Sequence, residues 1–191
     1  MNNLRQIALV HIYLSVHGTF PPACISDKAG KPLLSWRVAI LPYLEQDPLY
    51  KQFHLDEPWD SAHNKKLVAY MPSVYRRPSG AGKPGTTRHV TLRHKDSAFP
   101  GKEGVRPAEI THGLSNTILA VECDEAHAVI WTKPDDLEFD PKKPGAGLTG
   151  QPARGFNAAF CDGSARFIQD SIDTEFLQDM ADRHGGKAAK Q

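Results

Sequence analysis

The residues best equipped for chemistry lie in Glu122-Cys-Asp-Glu-Ala-His127, where carboxylates and an imidazole crowd into one short run. Carboxylate oxygens suit Ca²⁺ and an imidazole suits Zn²⁺, so Glu122, Asp124 and His127 are the candidate metal ligands. Their spacing matches neither an EF-hand loop nor a His-Glu-x-x-His helix. A solvated acidic turn is the competing reading, and the expectation is no obligatory cofactor, with Ca and Zn as the ions to test.

A second group is aromatic. Trp36, Arg37, Tyr43 and Trp59, with Tyr50 beside them, form a block whose rings suit stacking on a sugar or small solute. The alternative is that these rings anchor the first helices on a sheet with their polar tips satisfied at the edge. Arg37 on that view pairs with Glu45 or Asp60. For nucleophilic catalysis no Gly-x-Ser-x-Gly elbow occurs, and no phosphate-cradling glycine loop. A hydrolase would have to draw on His112, Ser115, Glu122, Asp124 and His127. The nine histidines are scattered, and His11, His17, His89 and His94 read as ordinary half-buried residues.

The elements that must position these groups follow from periodicity and turn chemistry. Leu4, Ile7, Ala8, His11 and Leu14 share one helical face, with Asn2 or Asn3 as cap and Gly18 as stop. A helix is predicted over 36–50, with Pro42 either in its first turn or dividing it from a preceding turn, and another over 62–70 with Ser61 as its cap. Strands are predicted at 88–92, 116–122, 128–132, 156–161 and 164–168. Asp162-Gly163 joins the last two as a structural hairpin turn, because glycine accepts the positive φ that the turn demands. The proline-studded stretch 133–144 reads as a surface excursion packed by Leu137 and Phe139. A helix from Asp173, using Ile172, Phe176, Leu177 and Met180, closes the order. Helices, then antiparallel strands, then a helix make an α+β arrangement.

Size and charge set the outer limits. The 191 residues suit one domain, expected over 1–186, with 187–191 as a frayed tail. Basic and acidic residues number 23 and 22, for a net charge of +1. Such a balance gives no field to attract nucleic acid or an anionic membrane. No apolar run approaches the length of a membrane span, and no secretory signal opens the chain. Cys24, Cys123 and Cys161 allow either one disulfide and a free thiol or three reduced thiols.

The N-terminal stretch Met1-Asn-Asn-Leu-Arg-Gln-Ile-Ala-Leu9 with His17-Gly-Thr-Phe-Pro-Pro22 resembles the DUF1559 family, a planctomycete pilin-like group also named as solute-binding-like. Ser35-Trp-Arg-Val-Ala-Ile-Leu-Pro-Tyr-Leu-Glu-Gln46, Trp59-Asp60 and Gly113-Leu-Ser-Asn-Thr-Ile-Leu119 carry the same resemblance. The hairpin 156–168 is similar to the family's closing H-x9-DG signature, although its histidine position holds Pro152. The usual Asp before Gly113 is His112, and a frequent Cys is Arg77. The resemblance implies a prepilin-type, extracytoplasmic or cell-surface protein with an N-terminal helix packed on an antiparallel sheet. It implies a structural or interaction head, with a homo-oligomer or pilus-like assembly as partner and the long apolar helix shortened to 2–14. A sugar or small-solute binding module is the alternative function, and an unrecognised hydrolase the second.

Overall fold

The computed structural model describes residues 2–7, 10–76 and 82–185. Two helices come first, α1 (Asn2–Ile7) and α2 (Val10–His17). Residues 8 and 9, and the side chains of Asn2 and His11, lie outside what is described. Gly18, at φ +72°, donates its N–H to the Leu14 carbonyl at 2.8 Å and ends α2 as the sequence predicts. Asn3 is no helix cap; its amide reaches the carbonyl of Arg76 at 2.9 Å.

An antiparallel ribbon follows, β1 (Cys24–Ser26) with β2 (Pro32–Ser35). The single helix predicted over 36–50 is instead three pieces: α3 (Trp36–Ala39), a 3₁₀ turn (Leu41–Leu44) and α4 (Asp47–Tyr50). Pro42 and Pro48 each fall in the first turn of a new piece, where a missing N–H costs nothing. Glu45, at φ 60°, turns left-handed and ends the middle piece. The stretch predicted helical at 62–70 is α5 (Asn64–Leu67) running into a 3₁₀ turn (Val68–Tyr70). Ser61 is not the N-cap, which is His63; its Oγ instead accepts the Asn64 N–H at 3.0 Å from the turn before the helix.

Among the described residues that follow, besides short 3₁₀ turns, are eight strands and a helix: β3 (Thr86–Thr87), β4 (His89–Val90), β5 (Leu92–Arg93), β6 (Ile118–Glu122), β7 (Val129–Ile130), β8 (Leu137–Glu138), β9 (Gly155–Phe160), β10 (Ala165–Gln169) and α6 (Thr174–Ala181). The strand predicted at 88–92 is divided at Thr91, whose N–H leaves the ladder for Asp136 Oδ1 at 2.9 Å. A four-stranded antiparallel sheet, ordered β10-β9-β6-β4, forms the centre. The pair β3–β7 is antiparallel and β5–β8 parallel. The whole is mixed helix and antiparallel sheet, with 27% helix and 19% strand, as an α+β arrangement requires.

Alternation along β9 divides the core between the two faces of that sheet. Phe156, Ala158 and Phe160 join Val90, Val121, Leu177 and Met180 in one cluster. Ala159 and Cys161 join Leu4, Ile7, Trp36 and Trp131 in the other. Both faces are therefore covered, which is why β6 and β9 read as nearly continuous apolar runs. Asp173 Oδ1 accepts the N–H groups of Glu175 and Phe176 at 2.8 and 3.2 Å and starts α6 where predicted. Phe176, expected in the buried face, is 56% exposed, since Leu177, Met180 and Ala181 define that face and Phe176 lies about 100° away. Leu137 and Phe139 are buried and pin the excursion as anticipated. The tail 187–191 lies outside the described residues.

Candidate functional site

The aromatic block divides into a buried part and a surface part. Ser35 caps α3, its hydroxyl accepting the Arg37 N–H at 3.2 Å, and this turns Trp36 and Arg37 inward. Arg37 does not pair with Glu45 or Asp60, as the sequence suggested, because its guanidinium points into the core toward Asp136. Nη2 donates to Asp136 Oδ1 at 2.6 Å, Nε to the His89 carbonyl at 2.8 Å and Nη1 to Ser35 Oγ at 2.7 Å. Trp36 Nε1 and the Thr91 N–H donate to the same carboxylate oxygen at 3.2 and 2.9 Å. Burial raises the Asp136 pKa, and Arg37 with these donors only partly opposes it. Trp36 is 1% exposed and packs on Phe99, so its ring meets core and not solvent. Trp59 is half-buried and lies beneath the Lys133 ammonium, 6.0 Å from its ring centre.

Tyr43 faces outward onto an open cleft of about 560 Å³, lined also by Tyr13, His17, Tyr50, Lys28 and Lys102. The His17 ring stacks on Tyr13 with centroids 4.1 Å apart, and its Nε2 lies 2.7 Å from the Tyr43 hydroxyl. Burial, with the neighbouring phenols, holds the Tyr13 and Tyr50 hydroxyls above their ordinary pKa, so both stay protonated donors. Tyr13 is the residue that sequence reasoning missed. Its spacing of four from His17 was the available signal, because such pairs meet on a helix.

The acidic run does not converge as one group. Asp124 caps the 3₁₀ turn (Glu125–His127); its Oδ1 accepts the His127 N–H at 3.0 Å and lies 2.6 Å from His127 Nδ1. Burial works against ionisation, yet these hydrogen bonds hold the Asp124 pKa below the usual range. His127 lies on a smaller cleft of about 330 Å³ with Asp135 and Glu138, carboxylates already paired to Lys133 and Arg93. Glu122, on the last position of β6, turns to Asn157 and Arg88 instead. Among the described residues no three His, Cys, Asp or Glu side chains form a group that could hold a metal ion.

The remaining polar groups suggested for hydrolysis are also dispersed. Ser115 precedes β6 and Asp124 follows it, so the strand's five residues, about 17 Å, separate them. The His112 N–H is tied to the Arg183 carbonyl at 3.0 Å, just past the end of α6. Asp162 and Gly163 close their hairpin: Gly163 stands at φ +87° and Asp162 Oδ1 accepts the Ser164 N–H at 2.9 Å.

Fold and surface together define a mixed helix and antiparallel-sheet protein that carries an open cleft walled by tyrosines. Residues 1–154 match the family described as protein of unknown function (DUF1559), and the chain belongs to that family. No curated protein and no solved structure matches it significantly. Among the described residues no helix is long and apolar enough to cross a membrane.

Proposed function

We propose that the chain is a non-enzymatic interaction domain, the head of a pilin-like extracytoplasmic or cell-surface protein whose work is assembly or adhesion. The observation that carries this reading is the seat of α1. Leu4 and Ile7 are fully buried, and α1 lies against β6 and β9 of the central sheet. On α2, Ile12 and Val16 stand one turn apart and remain 48% and 65% exposed, an apolar stripe for a neighbouring copy. Sedimentation over a range of concentrations, together with surface labelling of intact cells, tests the proposal. Self-association that Ile12→Glu with Val16→Glu abolishes, in a protein labelled from outside, is the expected result. A strict monomer recovered only from the cytoplasm overturns it.

One observation favours a second reading, a binding module for a sugar or small solute. The cleft beside α2 exceeds the ~300 Å³ at which small-molecule sites begin, and it has an aromatic wall. Calorimetric titration with small solutes tests it: heat that Tyr43→Ala removes is expected, and its absence for all of them overturns it.

A further inference from the structure

The tyrosine wall is built from two separate parts of the chain. Tyr13 and His17 stand on one face of α2, their rings stacked. The 3₁₀ turn opened by Pro42 brings Tyr43 against them, its ring edge-on to Tyr13 at 5.3 Å and its hydroxyl 2.7 Å from His17 Nε2. Tyr50, the last residue of α4, adds a third phenol to the same cleft. Prolines 22 and 42, Ile25 and Leu55 supply apolar lining between them. Tyr13, Tyr43 and Tyr50 are only half-buried, unlike Tyr75, which is 1% exposed and serves the core.

The charged part of the lining decides what charge the cleft favours. Lys28 and Lys102 are matched there by Asp27 and Glu103, so no net field selects an anion or a cation. Asp27 Oδ1 is already engaged by the Lys31 N–H at 2.8 Å. What remains is a set of ring faces beside phenolic and imidazole hydrogen-bonding groups. Aromatic side chains of this kind present an apolar body with a polar handle. A pyranose has the complementary form, a C–H face for the ring and a rim of hydroxyls that both donate and accept. An unbroken run of prolines offers only carbonyl acceptors, so it leaves the acceptor capacity of the phenols unused.

We infer that this cleft binds a neutral saccharide, with a sugar ring laid on the tyrosine wall and its hydroxyls bonded to the phenols of Tyr13, Tyr43 and Tyr50 and to His17. The inference rests on the binding-module reading and deepens it; it is independent of assembly. Saturation-transfer NMR and calorimetry on the full chain test it, with cellotriose, maltotriose and tri-N-acetylchitotriose as probes and a decamer of proline as the rival occupant. At least one triose binds with a Kd of about 1 mM or tighter. Tyr13→Ala weakens it about tenfold, and Tyr50→Phe, which removes one hydroxyl and leaves the packing in place, weakens it severalfold. Binding of the proline decamer in place of every sugar overturns the saccharide while leaving the cleft a binding site. No binding of any probe, or unchanged affinity in both variants, overturns the site itself.

Discussion

Arg37 Nη2 lies 2.6 Å from Asp136 Oδ1, with side chains 0% and 3% exposed, and this contact ties α3 to the segment that carries β8. Trp36, Ser35, the Thr91 N–H and the carbonyls of His89 and Asp135 add further hydrogen bonds to the pair. The pair is thus a structural junction that also holds the His89 carbonyl of β4. Two charges in such a place need each other, since either alone would be a buried ion without compensation.

Asp136→Ala should therefore destabilise the protein by about 3–5 kcal/mol, because it strands the guanidinium. Urea denaturation reads this directly. The double variant Arg37→Met with Asp136→Leu should lose clearly less than the two single losses added together, as groups in one network are not additive. Additive losses would mean that the two residues act separately.

A pH dependence follows from His89, which is 6% exposed beside Glu122, Arg37 and Arg88. Burial is the main reason that its pKa falls to about 4; Glu122 opposes the shift and the two arginines add to it. The folded state keeps the imidazole neutral while the unfolded chain takes a proton below about pH 6.5. This contribution is present in full above that value and is lost as pH falls toward 4, by up to about 3 kcal/mol. Asp136, whose pKa burial raises, titrates in the opposite sense, so a comparison is needed to isolate the histidine. Unfolding free energies measured across this window should fall less steeply in His89→Leu than in the parent. Equal slopes would place the acid sensitivity elsewhere.

How much of this was legible depends on sequence distance. The hairpin and the start of α6 rest on neighbours: Gly163 supplies its own φ, and Asp173 bonds to N–H groups two and three residues on. Both were readable from the chain. Arg37 and Asp136 are 99 positions apart, and nothing local to Arg37 distinguishes Asp136 from Glu45 or Asp60. The stretch 36–50 is divided at Pro42, one of the two placements open for that proline, and again at Pro48, because both prolines take the first turn of a new piece. The site was half legible. Tyr43 and Tyr50 belonged to the aromatic block that drew notice, but only the fold brings α2, and Tyr13 with it, to the same cleft.

The turn that joins β9 to β10 gives a sharper local test. Gly163 N–H bonds to the Phe160 carbonyl at 3.0 Å, and Phe160 N–H to the Ser164 carbonyl at 2.9 Å, so Cys161 and Asp162 are the central residues and Gly163 the left-handed closure. Gly163→Ala should cost about 1–2 kcal/mol, since a Cβ disfavours that φ. Asp162→Ala, which loses one hydrogen bond, should cost about 1 kcal/mol. For a chain of this size the former lowers Tm by roughly 2–8 °C. A Gly163→Ala protein as stable as the parent would show that the turn can relax to another type.

The thiols separate by position, and the three cysteines are all free. Cys123 and Cys161 have no exposed surface, and burial pushes the Cys123 pKa up to about 12 and raises that of Cys161 as well. Thiolate is the reactive form, so both should be inert to Ellman's reagent in the folded protein. Cys24 is half-buried on the wall of the tyrosine cleft, its Sγ 3.3 Å from Ser26 Oγ, and should be the one thiol that reacts. One equivalent released from native protein and three in denaturant is the expected titration. Because Cys24 lines the cleft assigned to a saccharide, a bound triose should also slow that single reaction, while leaving the denatured count unchanged. Labelling of Cys24 at an unaltered rate under saturating sugar would place the sugar away from this wall.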